Sequence, residues 1–547
     1  MTGQKIIVVG AVFLAVAAVA FSLAAGEKTG QVRSSGYESL IRLFTEWREF
    51  QKPKVVNGVP DYSAAAMKEQ QKGLTTLQQR LAAIDCRTWP VPQQVDYHLV
   101  RAEMNGLEFD HRLLRPWSRD PCFYAVVTDS EPDVPAREGP EMFGVLELWK
   151  MKFPVPGKDI PEFQTKLQAI PRVLEQAKKN LTEDAKDLWF LGIRVKKRES
   201  LILGNLAKRL AELHPNLVAD AERARAAVDE FRGWLEKKQS VMSASSGIGI
   251  ENFNWYMKNV HLVPYNWEEQ LAIIEREMER SMASLKLEEH RNRKLPELKP
   301  PATEEELRTR YNEAVNTFMD FLRTGEIFTV PDYMRLDLFK GRLVPPDGRD
   351  FFTQIEYRDS LPMKCHSIHW LEKQRMAHEP QASPIRGVPL LYNIWDSRSE
   401  GLATAWEEMM MNAGLFDKRP RARELIYMLV AMRCARAMGD LKMHSREFTL
   451  DDAVKYAVEH TPHGWLRPDG DTVWTDMRIY LHQPGYGTSY VVGKAHIDKL
   501  LMGRSRQMGE KFSLKKFMDE FFASGIIPVS LIRWEMTGLD DEIKKLW

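Results

Sequence analysis

The sequence predicts an all-α protein, mainly helical with one small β- and loop-rich insert, whose two lobes enclose a cleft. Three observations carry this. Apolar residues recur at helical spacing in most segments after residue 36, while long apolar–polar alternation is scarce. Two helix starts have capping-box signatures, Asn266 with Glu269 ahead of the run from Trp267, and Thr303 with Glu306. The 547 residues are 44% hydrophobic and 28% charged, the balance of a water-soluble globular protein, and the chain is longer than the ~250–300 residues at which single cores stop growing.

Residues 1–25 differ in composition from the rest: Lys5, an apolar run over 6–20, then Ser22, Ala24 and Ala25 ahead of Glu27 and Lys28. That is the layout of a secretory signal cut after Ala24 or Ala25, which predicts a periplasmic or secreted protein. Left uncut, the same run would be an N-terminal membrane anchor. No Cys follows the small residues, so a lipid-anchored form is not indicated. Residues 26–300 read as an N-terminal helical region and 301–547 as a C-terminal one. They are joined by HRNRKLPELKPPA, whose prolines and charges cannot continue a helix. Residues 326–361, with Pro331, Pro345 and Pro346 and the short runs IFTV and FFTQIEY, read as the insert with one or two small strands.

Seventy-seven basic residues are interleaved with seventy-six acidic ones, leaving no stripe that could follow a phosphate backbone. Nucleic acid is thereby disfavoured, and the expected partner is a peptide or small-molecule substrate. Cys86, Cys122, Cys365 and Cys434 are widely spaced without a Cys-x-x-Cys pair and read as buried small hydrophobes, with one or two bridges left open.

Four segments carry chemistry. In MKCHSIHWLEKQRMAHEP, His366 and His369 stand three apart, so on a helix they could share a metal, with Glu372 a turn further on. No Glu follows His366, so the general base of a His-Glu-x-x-His peptidase is missing, and the alternative is a structural or cleft-lining role. In DSRSEGLATAWEEMMMNAGLF, at about 100° per residue, Glu400, Thr404 and Glu407 fall opposite Leu402, Trp406 and Met410, with Glu408 at the margin. This acidic stripe either faces water or brings Glu400 to the histidines.

In RCARAMGDLKMH, Arg433, Arg436, Asp440 and His444 could face one groove, or form an intrahelical ion-pair ladder. In YLHQPGYGTSYVVGK, a Pro-Gly turn can gather Tyr480, His482 and Tyr490, and a tyrosine hydroxyl suits a developing oxyanion, although packed aromatics are commoner. The Gly-x-Gly of SSGIGIENF is too short for a nucleotide site.

Taken in order, these segments resemble a bacterial family called domain of unknown function 885, whose members look like exported or cytoplasmic α-helical proteins distantly related in pattern to zinc metallopeptidases. Its Glu-Gly-Trp-Ala-Leu-Tyr-Ala-Glu segment is similar to the stretch from Glu400 and Gly401 to Glu407. Its arginine-rich helix ending in Asp-Thr-Gly-x-His is similar to Arg433, Arg436, Asp440 and His444, with Leu441 and Lys442 replacing Thr and Gly. Its Tyr, Pro-Gly-Gln, Tyr and Gly pattern is similar to Tyr480, Pro484, Gly485, Tyr490 and Gly493, with Tyr486 where Gln is usual. FSLKKFMDEFFASGIIPVSL resembles its closing segment.

The family's His-Glu-x-x-Pro-Gly-His motif is absent, and CHSIHWLE stands in its place. The resemblance implies a divergent exported hydrolase of peptide, amide or ester bonds, with Glu400, Arg436, Asp440, His444 and Tyr490 as catalytic candidates. Zinc-dependent peptide hydrolysis does not carry over intact, so the cofactor alternatives are zinc at His366, His369 and Glu400, or none. The alternative is a non-catalytic helical binding protein that keeps the cleft.

Overall fold

In the computed structural model, residues 36–547 are described, and the expected signal segment at 1–25 lies outside them. The expected helix starts are present. The Asn266 side chain accepts from the Glu269 N–H while Glu269 returns the bond, opening helix Trp267–Asn292. The Thr303 hydroxyl caps helix Glu304–Thr324 by accepting from the Glu306 N–H. Helices make up the body, and no described helix is long and apolar enough to cross a membrane.

β-Structure lies elsewhere than expected. The described strands are two residues each: Val55–Val56 pairs antiparallel with Val59–Pro60, and Val127–Thr128 parallel with Leu146–Glu147. Residues 326–361 hold no strand. FFTQIEY is instead helix Phe351–Arg358, because Asp350 caps it and Phe351 and Ile355, one turn apart, are both buried on one face. A short apolar run fits a strand or a helix equally, and tertiary burial chose the helix.

The proline-rich segment 290–302 does end a helix, at Asn292. Contacts nevertheless cross it: Trp267 Nε1 donates to Leu441 O at 3.1 Å, and Asn292 Nδ2 to Glu424 Oε1 at 2.8 Å, joining helix Trp267–Asn292 to helix Ala422–Ser445. Buried apolar side chains from Tyr37 to Leu546 form one connected core. All four cysteines are buried and free.

At the centre, helices Asp396–Asn412, Ala422–Ser445 and Tyr486–Met508 are buried along most of their lengths. The first and third touch backbone to backbone. A Cβ on Gly401 would lie 2.5 Å from Gly493 Cα, and one on Gly493 would lie 2.0 Å from Ser397 O. Only glycine at both positions allows this approach. The loop 129–145 is tied across the centre: Lys373 Nζ donates to Glu131 Oε1 and Pro132 O at 2.6 Å, and the Gly139 N–H to Gln483 Oε1 at 2.7 Å.

Gly493→Ala is expected to force the two helices apart and destabilise the protein by about 1–3 kcal/mol or more, the usual range for overpacking. Chemical denaturation of wild type and variant measures this, and an unchanged midpoint would show that the contact is not tight.

Candidate functional site

The paired histidines sit at a helix break: helix Leu361–His366 ends at the first, and helix Ile368–His378 carries the second in its opening turn. Their rings lie 4.9 Å apart and nearly perpendicular. Asp133, from the 129–145 loop, completes a cluster with His366 and His369 in which one ligand atom from each lies within 4.8 Å of the others. Asp133 was not foreseen, because EPDVPAREGP has no periodicity and no motif linking it to a segment more than two hundred residues away.

Glu400 adjoins the cluster, its Oε2 3.3 Å from His369 Nε2. Burial raises the Glu400 carboxyl, but the His369 imidazole, with His366 and the Tyr486 hydroxyl, holds it down at about 2. Burial likewise lowers His369, yet the facing carboxylate carries it up to about 9. Tyr486 Oη donates to Glu400 Oε1 at 2.5 Å, so the tyrosine at the family's usual Gln position fixes this side chain.

These residues fit a divalent cation. His366 Nδ1 faces Glu407 Oε1 at 3.3 Å and Arg433 Nη2 at 3.1 Å, leaving its Nε2 for a ligand. His369 Nε2 and Glu400 Oε2 are buried and complete no hydrogen bond. Two imidazoles and carboxylates are a zinc-type donor set, and a carboxylate behind a ligating imidazole is the usual support for one. Glu372 is drawn off by Arg398 at 2.6 Å and is no ligand.

The acidic stripe faces inward. Glu407 is buried in a two-pronged pair with Arg433, at 2.7 Å for each bond. Arg436 pairs with Asp476, and its guanidinium lies 5.2 Å from the Tyr490 ring centre. The expected intrahelical ladder is therefore replaced, for both arginines, by bonds to other helices. Tyr490 lies against Tyr486, ring centres 5.9 Å apart, within the electrostatic reach of Glu400.

Asp440 and His444 have backbone partners. Asp440 accepts from the Gly485 and Thr488 N–H groups at 3.3 and 3.1 Å, occupying the start of helix Tyr486–Met508. His444 Nε2 donates to Tyr480 O at 2.9 Å and lies 3.5 Å from Asp440 Oδ1. Both side chains are fully buried, and they hold in place the helix that carries Tyr486 and Tyr490. The Arg436 guanidinium lies 5.9 Å from the Tyr480 ring centre and 5.2 Å from that of Tyr490, so these two tyrosines are brought together, whereas His482 pairs with Asp120. Gly247 of SSGIGIENF packs on the chain at Met443, where a Cβ would lie 2.0 Å from the carbonyl oxygen, a structural use of that glycine.

A cleft of about 860 Å³ opens beside the cluster. Its wall includes Asp133, Glu138, Trp370, Trp474, Arg478 and His482, from the 129–145 loop, the second histidine helix and helix Asp471–His482.

Burial lowers His444 to about 4. The unfolded chain, near 6.5, then binds the extra proton first, so stability falls as pH drops from about 6.5 to about 4, at most ~1.4 kcal/mol per unit for this group. His444→Gln should remove that share of the slope in denaturation series across this range. An unaltered slope would show that His444 charges freely in the folded protein.

Residues 369–536 match the model of the family described as bacterial protein of unknown function, DUF885. A search of curated proteins returns no match. In fold, the chain is similar to a candidate lipoprotein of unknown function from Shewanella oneidensis, with a TM-score of 0.65 and 15% identity over 92% of this chain and 98% of that one. It is also similar to a candidate lipoprotein from Colwellia psychrerythraea, with a TM-score of 0.62 and 13% identity over 92% of this chain and 99% of that one. The matched stretch includes His369, Glu400, Arg436, Asp440, His444 and Tyr490, and over it the chain is similar to the bacterial family DUF885.

Proposed function

We propose that the protein is a divergent exported hydrolase of the metallopeptidase-like type, cutting a peptide, amide or ester held in the cleft beside His366, His369 and Glu400. The observation that carries this is the meeting of His366 and His369 with Asp133, which lines the cleft, with Glu400 held ionised against His369. Asp133, His366 and His369 would hold a zinc ion, with Glu400 as a fourth donor or a neighbour. When bound, the ion would polarise a carbonyl and acidify a water. Tyr486 orients Glu400, and Tyr490 is the hydroxyl beside Glu400 suited to a developing oxyanion. Trp370 and Trp474 give the cleft apolar faces for substrate side chains. The candidate lipoproteins of like fold support export, to the periplasm or beyond, with the membrane met only through the N-terminal segment.

One observation favours a second reading, a non-catalytic binding protein that keeps the cleft. Ser367 stands where a metallopeptidase carries the glutamate after its first histidine.

Elemental analysis of zinc-loaded protein should find one zinc per chain in wild type and none in His369→Ala, with the helical circular dichroism of the two alike. Release of peptides from a mixed peptide substrate should stop on adding a chelator and return with zinc. Wild type without stoichiometric zinc would remove the metallo-hydrolase reading, and zinc without turnover would favour the binding protein.

A further inference from the structure

Hydrolysis needs a proton acceptor that the histidine segment lacks. Glu138 lies five residues beyond Asp133 in the same loop, lines the cleft and is half-buried. Its side chain forms no hydrogen bond or ion pair with another side chain among the described residues, whereas three neighbouring carboxylates are taken: Glu131 by Lys373 at 2.6 Å, Glu141 by Arg137 at 2.7 Å, Glu199 by Lys196 at 2.7 Å. Its backbone is fixed, because the next residue, Gly139, is tied to Gln483 and packs against the His482 ring.

We propose that Glu138 is the general base and acid of the cleft, standing in from another segment for the glutamate missing after His366. This rests on the hydrolase reading above. As the water oxygen bonds to the substrate carbonyl carbon, its proton passes to the Glu138 carboxylate. As the bond to the leaving nitrogen or oxygen breaks, the same proton passes to that atom, leaving carboxylate and both products.

The surroundings suit the task. Charged and titratable groups within electrostatic reach are Asp133 on its own loop, Glu400 on helix Asp396–Asn412, Arg478 on helix Asp471–His482 and Tyr486 on helix Tyr486–Met508. Burial, then the charges of Asp133 and Glu400, raise the carboxyl, and its own backbone N–H and Arg478 restrain it, leaving it at about 7. A group poised there takes and returns a proton readily at neutral pH.

The test compares wild type with Glu138→Gln, both loaded with cobalt(II). Equal cobalt affinity is expected. The visible spectrum of the wild-type cobalt protein should show a pH transition that moves by about one unit or more in the variant. On the mixed peptide substrate, kcat should fall about a hundredfold with KM unchanged. An unmoved transition overturns the proposal whether or not a substrate has been found, and so does unchanged kcat. Lost cobalt affinity in the variant also overturns it, since Glu138 would then be a ligand. Wild type that binds no cobalt is a different failure, that of the metal centre itself.

Discussion

The approach of Gly401 to Gly493 is the contact on which the site depends. Helices usually keep a separation set by the side chains between them. Here there are none at the crossing, and Gly493 meets the Ser397 carbonyl directly. Glu400 precedes one glycine, and Tyr486 and Tyr490 lie two turns and one turn before the other. Closing the gap therefore delivers the Tyr486 hydroxyl to Glu400. The start of helix Tyr486–Met508 is located separately, by Asp440 under its first N–H groups and by His444 on the Tyr480 carbonyl.

The middle of the protein is polar although closed to water. Arg433, Arg436, Glu407, Glu400, Asp440 and His369 all lie buried there. An isolated buried charge would be prohibitive, so each is matched: guanidinium to carboxylate, imidazole to carboxylate, carboxyl to backbone N–H. Such a network is rigid because removing any member strands its partner. That rigidity is what the proposed metal centre would require of its supports, and the Glu407–His366 contact would be one of them.

Much of the helical fold was legible in the sequence, because capping and periodicity are local. Asn266 needs only Glu269, and Thr303 only Glu306, to fix a helix start. The strand expectation at FFTQIEY failed for the complementary reason: a run that short takes its conformation from what it packs against. At the site, His366, His369 and Glu400 do come together. Arg433 and Arg436 had the right spacing for a ladder along their own helix, but Glu407 and Asp476 on neighbouring helices are better placed to take them.

By itself the sequence determined the helices, their caps and the order of the family-like segments, since each depends on residue type over a few turns. Only the tertiary structure decided which carboxylates reach the histidine cluster and the cleft. Asp133 and Glu138 come from a loop without periodic pattern, placed by Lys373 and Gln483 from distant segments. No local property of that loop encodes where those partners stand, because their positions follow from the packing of the whole helical body.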